Sequence, residues 1–326
     1  QTELVVDARN DLERTLTETK GRAADSVFKG VSTGSGLAIV AILAAVGAFL
    51  VIQGIPAWQA SPEELQNAAS WFRVGSLAEF IGPLIFGTLL ISAVALVIAT
   101  PLSVGIALFI SHYAPRRLAA SLGYIVDLLA AVPSVVYGLW GGLWLMPKLY
   151  PIWDFLASNF GWIPFFRGPA ANPPRVALTA AVVLSVMILP IITAVCREVF
   201  LQTPPLHEEA ALAMGATRWE MIRMAVLPFG RSGIISAAML GLGRALGETM
   251  AVLMILSPGL TYTLSLLQAG THQTIAANIA AQFPEAGPLG VNILVATGLA
   301  LFVITMAVNM AARWIVGRRA EFSGAN

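Results

Sequence analysis

Apolar residues gather in six long windows, near residues 36–55, 82–110, 122–146, 176–196, 233–256 and 289–316, with shorter polar stretches between them. Each window can cross a bilayer as a helix, which takes roughly 20 residues. A helix is the predicted form, because hydrocarbon offers no water to satisfy an open backbone. The second and third windows contain Pro101 and Pro133, whose rings remove a backbone donor, so kinks are expected there. The pattern predicts an all-α polytopic membrane protein with six transmembrane helices. A polar tail covers residues 1–30, the transmembrane domain covers 31–326, and a polar amphipathic segment at 204–228 interrupts it.

Composition agrees with a membrane solvent. Hydrophobic residues make up 57% of the chain, charged residues 11%, and the mean hydropathy is +0.78. Soluble domains carry about 25% charged residues. A net charge of +1 gives no reason to expect a nucleic-acid partner. The distribution of charge is more telling. With both termini inside, fourteen Lys and Arg fall on the inner segments, only Arg73, Lys148, Arg167 and Arg175 on the outer ones, and Arg244 within a helix. By the positive-inside rule this places the 204–228 segment in the cytoplasm. The single cysteine, Cys196, excludes an internal disulfide, and His112, His207 and His272 show no metal-ligand spacing. They are expected to be solvated or interfacial. The first thirty residues lack the apolar core of a cleavable signal peptide and read as a solvated or lipid-surface segment. In the long outer loop at 147–175, Trp153 and Trp162 are expected at the lipid–water interface, or on a surface that docks an external protein.

The 204–228 segment reads as a helix-turn-helix. Pro204 and Pro205 stop the preceding element, and Glu208 and Glu209 suit a first helical turn through its dipole. Ala210, Ala211 and Ala213 favour helix. Gly215 permits a sharp turn or the close approach of a partner backbone. A second short helix through Trp219, Met221, Ile222 and Met224 is expected to end at Pro228. The run Glu209-Ala210-Ala211, Gly215 and Leu227-Pro228 resembles the EAA loop of bacterial ABC importer permeases, although Ala225 stands where that family has isoleucine. The resemblance implies that Glu208, Glu209, Ala210, Ala211, Gly215 and Arg218 couple to an ATPase. An ordinary amphipathic interfacial loop is the alternative.

The fifth window carries charge where charge is costly. Arg244 and Glu248 are four residues apart, hence on one face of a helix, and each ionised group at mid-membrane costs about 2.5–3.5 kcal/mol. A guanidinium presents a fork of donors that matches phosphate or carboxylate oxygens. Arg244 is therefore a candidate anion site, with Glu248 holding it while the pathway is empty. A structural intrahelical pair is the competing reading. Pro133-Ser134 can kink the third helix and offer a hydroxyl, and Asp127 is expected to find Arg116, Arg117 or the interface.

Two stretches now carry a closer resemblance. Arg244-Ala245-Leu246-Gly247-Glu248-Thr249 followed by Met250-Ala251-Val252, and Ala131-Val132-Pro133-Ser134-Val135-Val136-Tyr137-Gly138-Leu139-Trp140-Gly141, resemble the signatures of the PstC-type permeases of phosphate ABC importers. The resemblance covers roughly residues 25–318. It implies a type I ABC importer fold with Arg244, Glu248, Thr249 and Ser134 on the phosphate path. It also implies a PstA-like second permease, a PstB-like ATPase dimer and an extracytoplasmic phosphate-binding protein. PstA permeases share the Arg-x-x-Gly-Glu-Thr core but differ after it.

The chain holds no G-x-x-x-x-G-K-[ST] phosphate loop and no paired catalytic groups, so it is expected to be a transport subunit and not an enzyme. ATP and Mg belong on the partner ATPase. The expected role is a multi-pass permease subunit of the bacterial cytoplasmic membrane that conducts inorganic phosphate by alternating access. Permeases for sulfate or molybdate, and a phosphate-signalling scaffold without conduction, are the rival readings.

Overall fold

The computed structural model describes residues 2–320, with side chains from residue 26 onward except at 315, 316 and 318–320. Arg9, Arg14, Lys20, Arg22, Arg318 and Arg319 of the charge balance fall outside the described side chains. The chain divides into two units, Gln1–Gln53 and Gly54–Asn326. Helix α1 (Thr2–Gln59) supplies the first, and its portion from Ser26 to Gln59 is long and apolar enough to cross a membrane.

The second unit takes in the end of α1 and continues with α2 (Pro62–Ala68), started by a capping box. The Ser61 hydroxyl accepts from Glu64 N at 3.3 Å, and the Glu64 carboxylate accepts from Ser61 N at 2.8 Å. These bonds hold the Glu64 carboxyl below its usual range. Helix α3 (Leu77–Leu108) continues into a π-helical turn, Phe109–Tyr113, and runs on uninterrupted past Pro101. Next come α4 (Arg116–Ala130), α5 (Ser134–Leu139), a π-helical turn (Trp140–Leu145) and α6 (Met146–Phe160). Helix α7 (Ala177–Leu201) leads to α8 (Pro205–Ala213) and α9 (Arg218–Met221). A further π-helical turn (Ile222–Val226) joins α9 to α10 (Leu227–Leu246). The chain ends with α11 (Met250–Ile255), α12 (Ile275–Gln282) and α13 (Pro288–Ala320).

Among the described residues, five helices are long and apolar enough to span a membrane, and α4 with the α5–α6 stretch, a pair bent by 91°, makes a sixth when taken as one span. The third window is thus a sharply broken span. Pro133 sits at the break, as its missing donor requires.

Helix α7 lies at the centre of the packing, with α3 along it. Lipid supplies no hydrophobic drive between helices, so close backbone approach through small residues holds such bundles together. Thr88, Ser92, Ala95, Ala99, Ser103 and Ala107 of α3 are all buried, and so are Ala177, Ala180 and Ala181 of α7. The Ser103 hydroxyl donates to the Leu189 carbonyl at 3.0 Å across this seam. Ile188, Ile192, Cys196 and Phe200 continue the buried face.

Trp153 belongs to the packed core at 6% exposure, where its indole N–H donates to Thr179 Oγ1 at 2.9 Å; Trp162 is exposed. Between α11 and α12 the backbone folds back on itself. Gly259 N donates to the His272 carbonyl, and Thr261 N to the Thr271 carbonyl, each at 3.1 Å. A side chain on Gly259 would collide with the Gly270 backbone, so the close approach needs glycine there. His272 is buried, in contrast to the solvated or interfacial place expected of it. Its Nε2 donates to the Thr263 carbonyl at 2.7 Å, and its ring stacks on Phe86.

Candidate functional site

The third span breaks at Pro133, which has no N–H to donate. In a continuous helix the Leu129 carbonyl would accept from residue 133. Instead Val132 N reaches it in a tight turn at 3.2 Å, and the Tyr137 hydroxyl donates to it at 3.0 Å from the far side of the break. Ser134 then opens α5. Asp127 is met at 3.6 Å by Arg197 of α7, and not by Arg116 or Arg117. The Arg197 guanidinium passes over Gly123, where any Cβ would collide with it. The reason is geometric. Bending the span lays α4 against α7, which brings a basic residue from a distant part of the chain.

The fifth window breaks as well. Helix α10 ends at Leu246, Gly247 caps it, and α11 starts at Met250. Arg244 and Glu248 therefore do not share a continuous helical face, and no ion pair joins them among the described residues. Arg244 is exposed on the last turn of α10. Glu248 is buried at 8% exposure, and its Oε1 accepts from Ala251 N at 3.1 Å, satisfying a donor at the start of α11. The Thr249 hydroxyl donates to the Gly247 carbonyl at 3.2 Å.

The two breaks lie side by side. A Cβ on Gly138 of α5 would stand 3.0 Å from Ala251 Cα and 2.9 Å from Met254 Sδ of α11. A Cβ on Gly141 would press on Val183 at 2.6 Å and Ile255 at 3.0 Å. The glycines thus let the third span seat directly on α11, so the two signature stretches meet in space. The Tyr137 phenol is also within electrostatic reach of Arg244. Arg244 opens onto a groove of about 780 Å³ between α10 and α13, shared with Ser236, Asn309 and Arg313. Two guanidinium groups on one groove suit an anion. Arg313 was not legible as a site residue, since its partner in the groove comes from a separate helix.

In the 204–228 segment, α8 and α9 form the expected pair of short helices. Gly215 has φ +86°, with open space around its missing Cβ, so the turn and not a neighbour demands glycine. Pro228 does not end the second helix; it occupies the first turn of α10, where its absent donor is harmless, and the helical run continues from Arg218 to Leu246. Thr217 and Glu220 form a capping box at 3.3 and 2.7 Å, on a Thr-x-x-Glu spacing that is itself a local signal for a helix start. Ala211 is buried, anchoring α8, while Glu209, Ala210, Gly215 and Arg218 are exposed. Leu206, Met214 and Trp219 add exposed apolar surface. Glu208 instead turns towards its own chain, its Oε1 3.4 Å from His112 Nε2 at the end of α3. His112 is held on its other side by Ser111 Oγ at 2.6 Å, so it too is packed and not solvated.

Residues 99–321 match the family described as binding-protein-dependent transport system inner membrane component. The chain is 46% identical over 302 residues to phosphate transport system permease protein PstC 2 of Mycobacterium tuberculosis, covering 91% of this chain and 93% of that one. It is 37% identical over 316 residues to the PstC permease of Mesorhizobium japonicum, covering 96% of each. Among solved structures, a bacterial ABC transporter involved in alginate import superposes with TM-score 0.56 at 18% identity, over 90% of this chain and 99% of that one. That likeness concerns the fold.

Proposed function

This chain belongs to the PstC phosphate permeases, within the binding-protein-dependent inner membrane transport components, and on that premise we propose how it conducts inorganic phosphate. It is a multi-pass permease subunit of an importer. The observation that carries the anion reading is Arg244, a guanidinium with no paired carboxylate among the described residues, beside two adjoining helix breaks. Broken helices inside a membrane are tolerated where they line a cavity or are buried in protein, and they are a recurrent way to build solute sites.

Phosphate passes Arg244, with Ser134 and Thr249 at the starts of α5 and α11 offering hydroxyls. Arg313 extends the positive groove. A PstB-like ATPase dimer binds ATP and Mg and grips the exposed face of α8 and α9, from Glu209 to Arg218. Closure of that dimer moves the loop, opens the pathway outward to an extracytoplasmic phosphate-binding protein, and hydrolysis resets it. A PstA-like permease completes the pathway. Both termini lie in the cytoplasm, as the excess of Lys and Arg on those segments implies.

Labelled phosphate uptake at limiting phosphate tests this, in cells lacking the chain and in the same cells complemented with it. Restored uptake that excess sulfate and molybdate leave untouched is the expected result. Uptake blocked by sulfate would reassign the cargo, and uptake indifferent to the chain would remove conduction from its role.

A further inference from the structure

We infer that Tyr137 is a positioning residue. Its hydroxyl replaces the backbone donor that Pro133 lacks, and so holds the third span at the bend that seats α5 beside α11 and Arg244.

The bend has two arms, α4 before it and α5–α6 after it, at 91°. Each arm is located by a different part of the protein. Arg197 of α7 lies over Gly123 of the first arm, bonding Glu198 at 2.9 Å and reaching Asp127 at 3.6 Å. The second rests on α11 through Gly138, whose missing side chain permits backbone contact with Ala251. Between these anchors the backbone makes no helical hydrogen bond at Pro133, so the helix itself cannot set the angle. One side-chain bond spans the gap, from the Tyr137 hydroxyl to the Leu129 carbonyl at 3.0 Å. Tyr137 is buried at 8% exposure, where a hydroxyl left without a partner is costly. A carbonyl has two lone pairs, so Leu129 takes both Val132 N and the phenol.

The location gives this bond a role in transport. Tyr137 adjoins Gly138, the contact on α11, and lies three residues from Ser134 at the start of α5. Its ring is an electrostatic neighbour of Arg244. A change in the angle of the arms therefore changes where Ser134 stands relative to Arg244. Proline supplies the freedom to bend, and tyrosine removes it.

The transport part of this inference rests on the phosphate reading above; the part about the bend does not. The test uses the complete complex, reconstituted in proteoliposomes with its binding protein. Ser121→Cys and Ser158→Cys, on exposed sites of α4 and α6, carry spin labels in a Cys196→Ala background. Tyr137→Phe deletes one oxygen. It should broaden the distance distribution between the labels and lower maximal phosphate uptake per assembled complex by about tenfold, while half-saturating phosphate stays within about twofold. Tyr137→Phe with Pro133→Ala restores a backbone donor to Leu129. It should give a narrow distribution at longer distance, a straightened span, without recovery of uptake. An unchanged distribution in Tyr137→Phe, or uptake within about twofold of the parent, overturns the inference. A parent complex that carries another anion would refute phosphate, and the label distances would still decide the role of Tyr137. Should Tyr137→Phe fail to assemble, assembly of the double variant supports the inference, and its failure overturns it.

Discussion

The Glu248 carboxylate caps Ala251, whose backbone N–H it accepts at 3.1 Å, and makes no ion pair with Arg244 of the preceding helix among the described residues. Glutamine keeps a carbonyl oxygen for that N–H; alanine does not. Glu248→Gln should therefore assemble with unchanged thermal stability. Glu248→Ala should be less stable by about 1 kcal/mol, the usual cost of losing a cap. Denaturation of the purified complex measures both, and equal stability of the two variants would contradict the capping role.

No carboxylate pairs with Arg244 among the described residues, which leaves its charge for a solute. Arg244→Ala should lower phosphate uptake by at least about 30-fold, the factor for roughly 2 kcal/mol lost with a charged hydrogen-bonding group. Membrane insertion and assembly should persist. Normal uptake in an assembled Arg244→Ala complex would remove the anion site from this position.

Gly215 turns the chain between α8 and α9 at φ +86°. Gly215→Ala forces a side chain into that conformation and should destabilise the loop by about 1 kcal/mol. Gly215→Trp adds bulk on the exposed face proposed to meet the ATPase. Its membrane helices should remain folded while ATP hydrolysis no longer drives uptake. Full phosphate transport by this variant would show that α8 and α9 do not transmit the motion.

His272 lies between α11 and α12, outside the membrane-spanning helices. Burial pushes its imidazole below the ordinary value of 6.5, and the Thr263 carbonyl that accepts from Nε2 pulls partly the other way. The unfolded chain therefore takes up a proton at higher pH than the folded one. The stability associated with neutral His272 is fully present above about pH 6.5 and is lost as pH falls from there through the folded value. Melting temperature followed from pH 8 to about pH 5 should fall more steeply in the parent than in His272→Gln. Parallel curves would mean that His272 carries none of the acid sensitivity.

Trp153 places its indole N–H on Thr179 Oγ1 at 2.9 Å inside the core. Trp153→Phe removes that donor and should cost about 1 kcal/mol of stability while leaving uptake per assembled complex unchanged. A variant as stable as the parent would return Trp153 to the role of a passive interfacial ring.

The membrane-spanning windows were legible because the solvent imposes their character on every residue within them. The short helices around Gly215 were legible because prolines, alanines and caps act within a few residues of their own position. Both signature stretches could likewise be read as linear strings. Tertiary structure alone decided where the helices break and what each charge meets. Pro133 permits a break, but the seating of Gly138 on Ala251 and the Tyr137 bond to the Leu129 carbonyl together select the sharp bend. The spacing of Arg244 and Glu248 fits a helical pair, yet a helix end at Leu246 separates them and gives Glu248 to Ala251. Asp127 meets Arg197, and Glu208 meets His112, across long stretches of sequence. Local chemistry sets which conformations a segment can take, while the partner of a buried polar group depends on which distant surface packs against it.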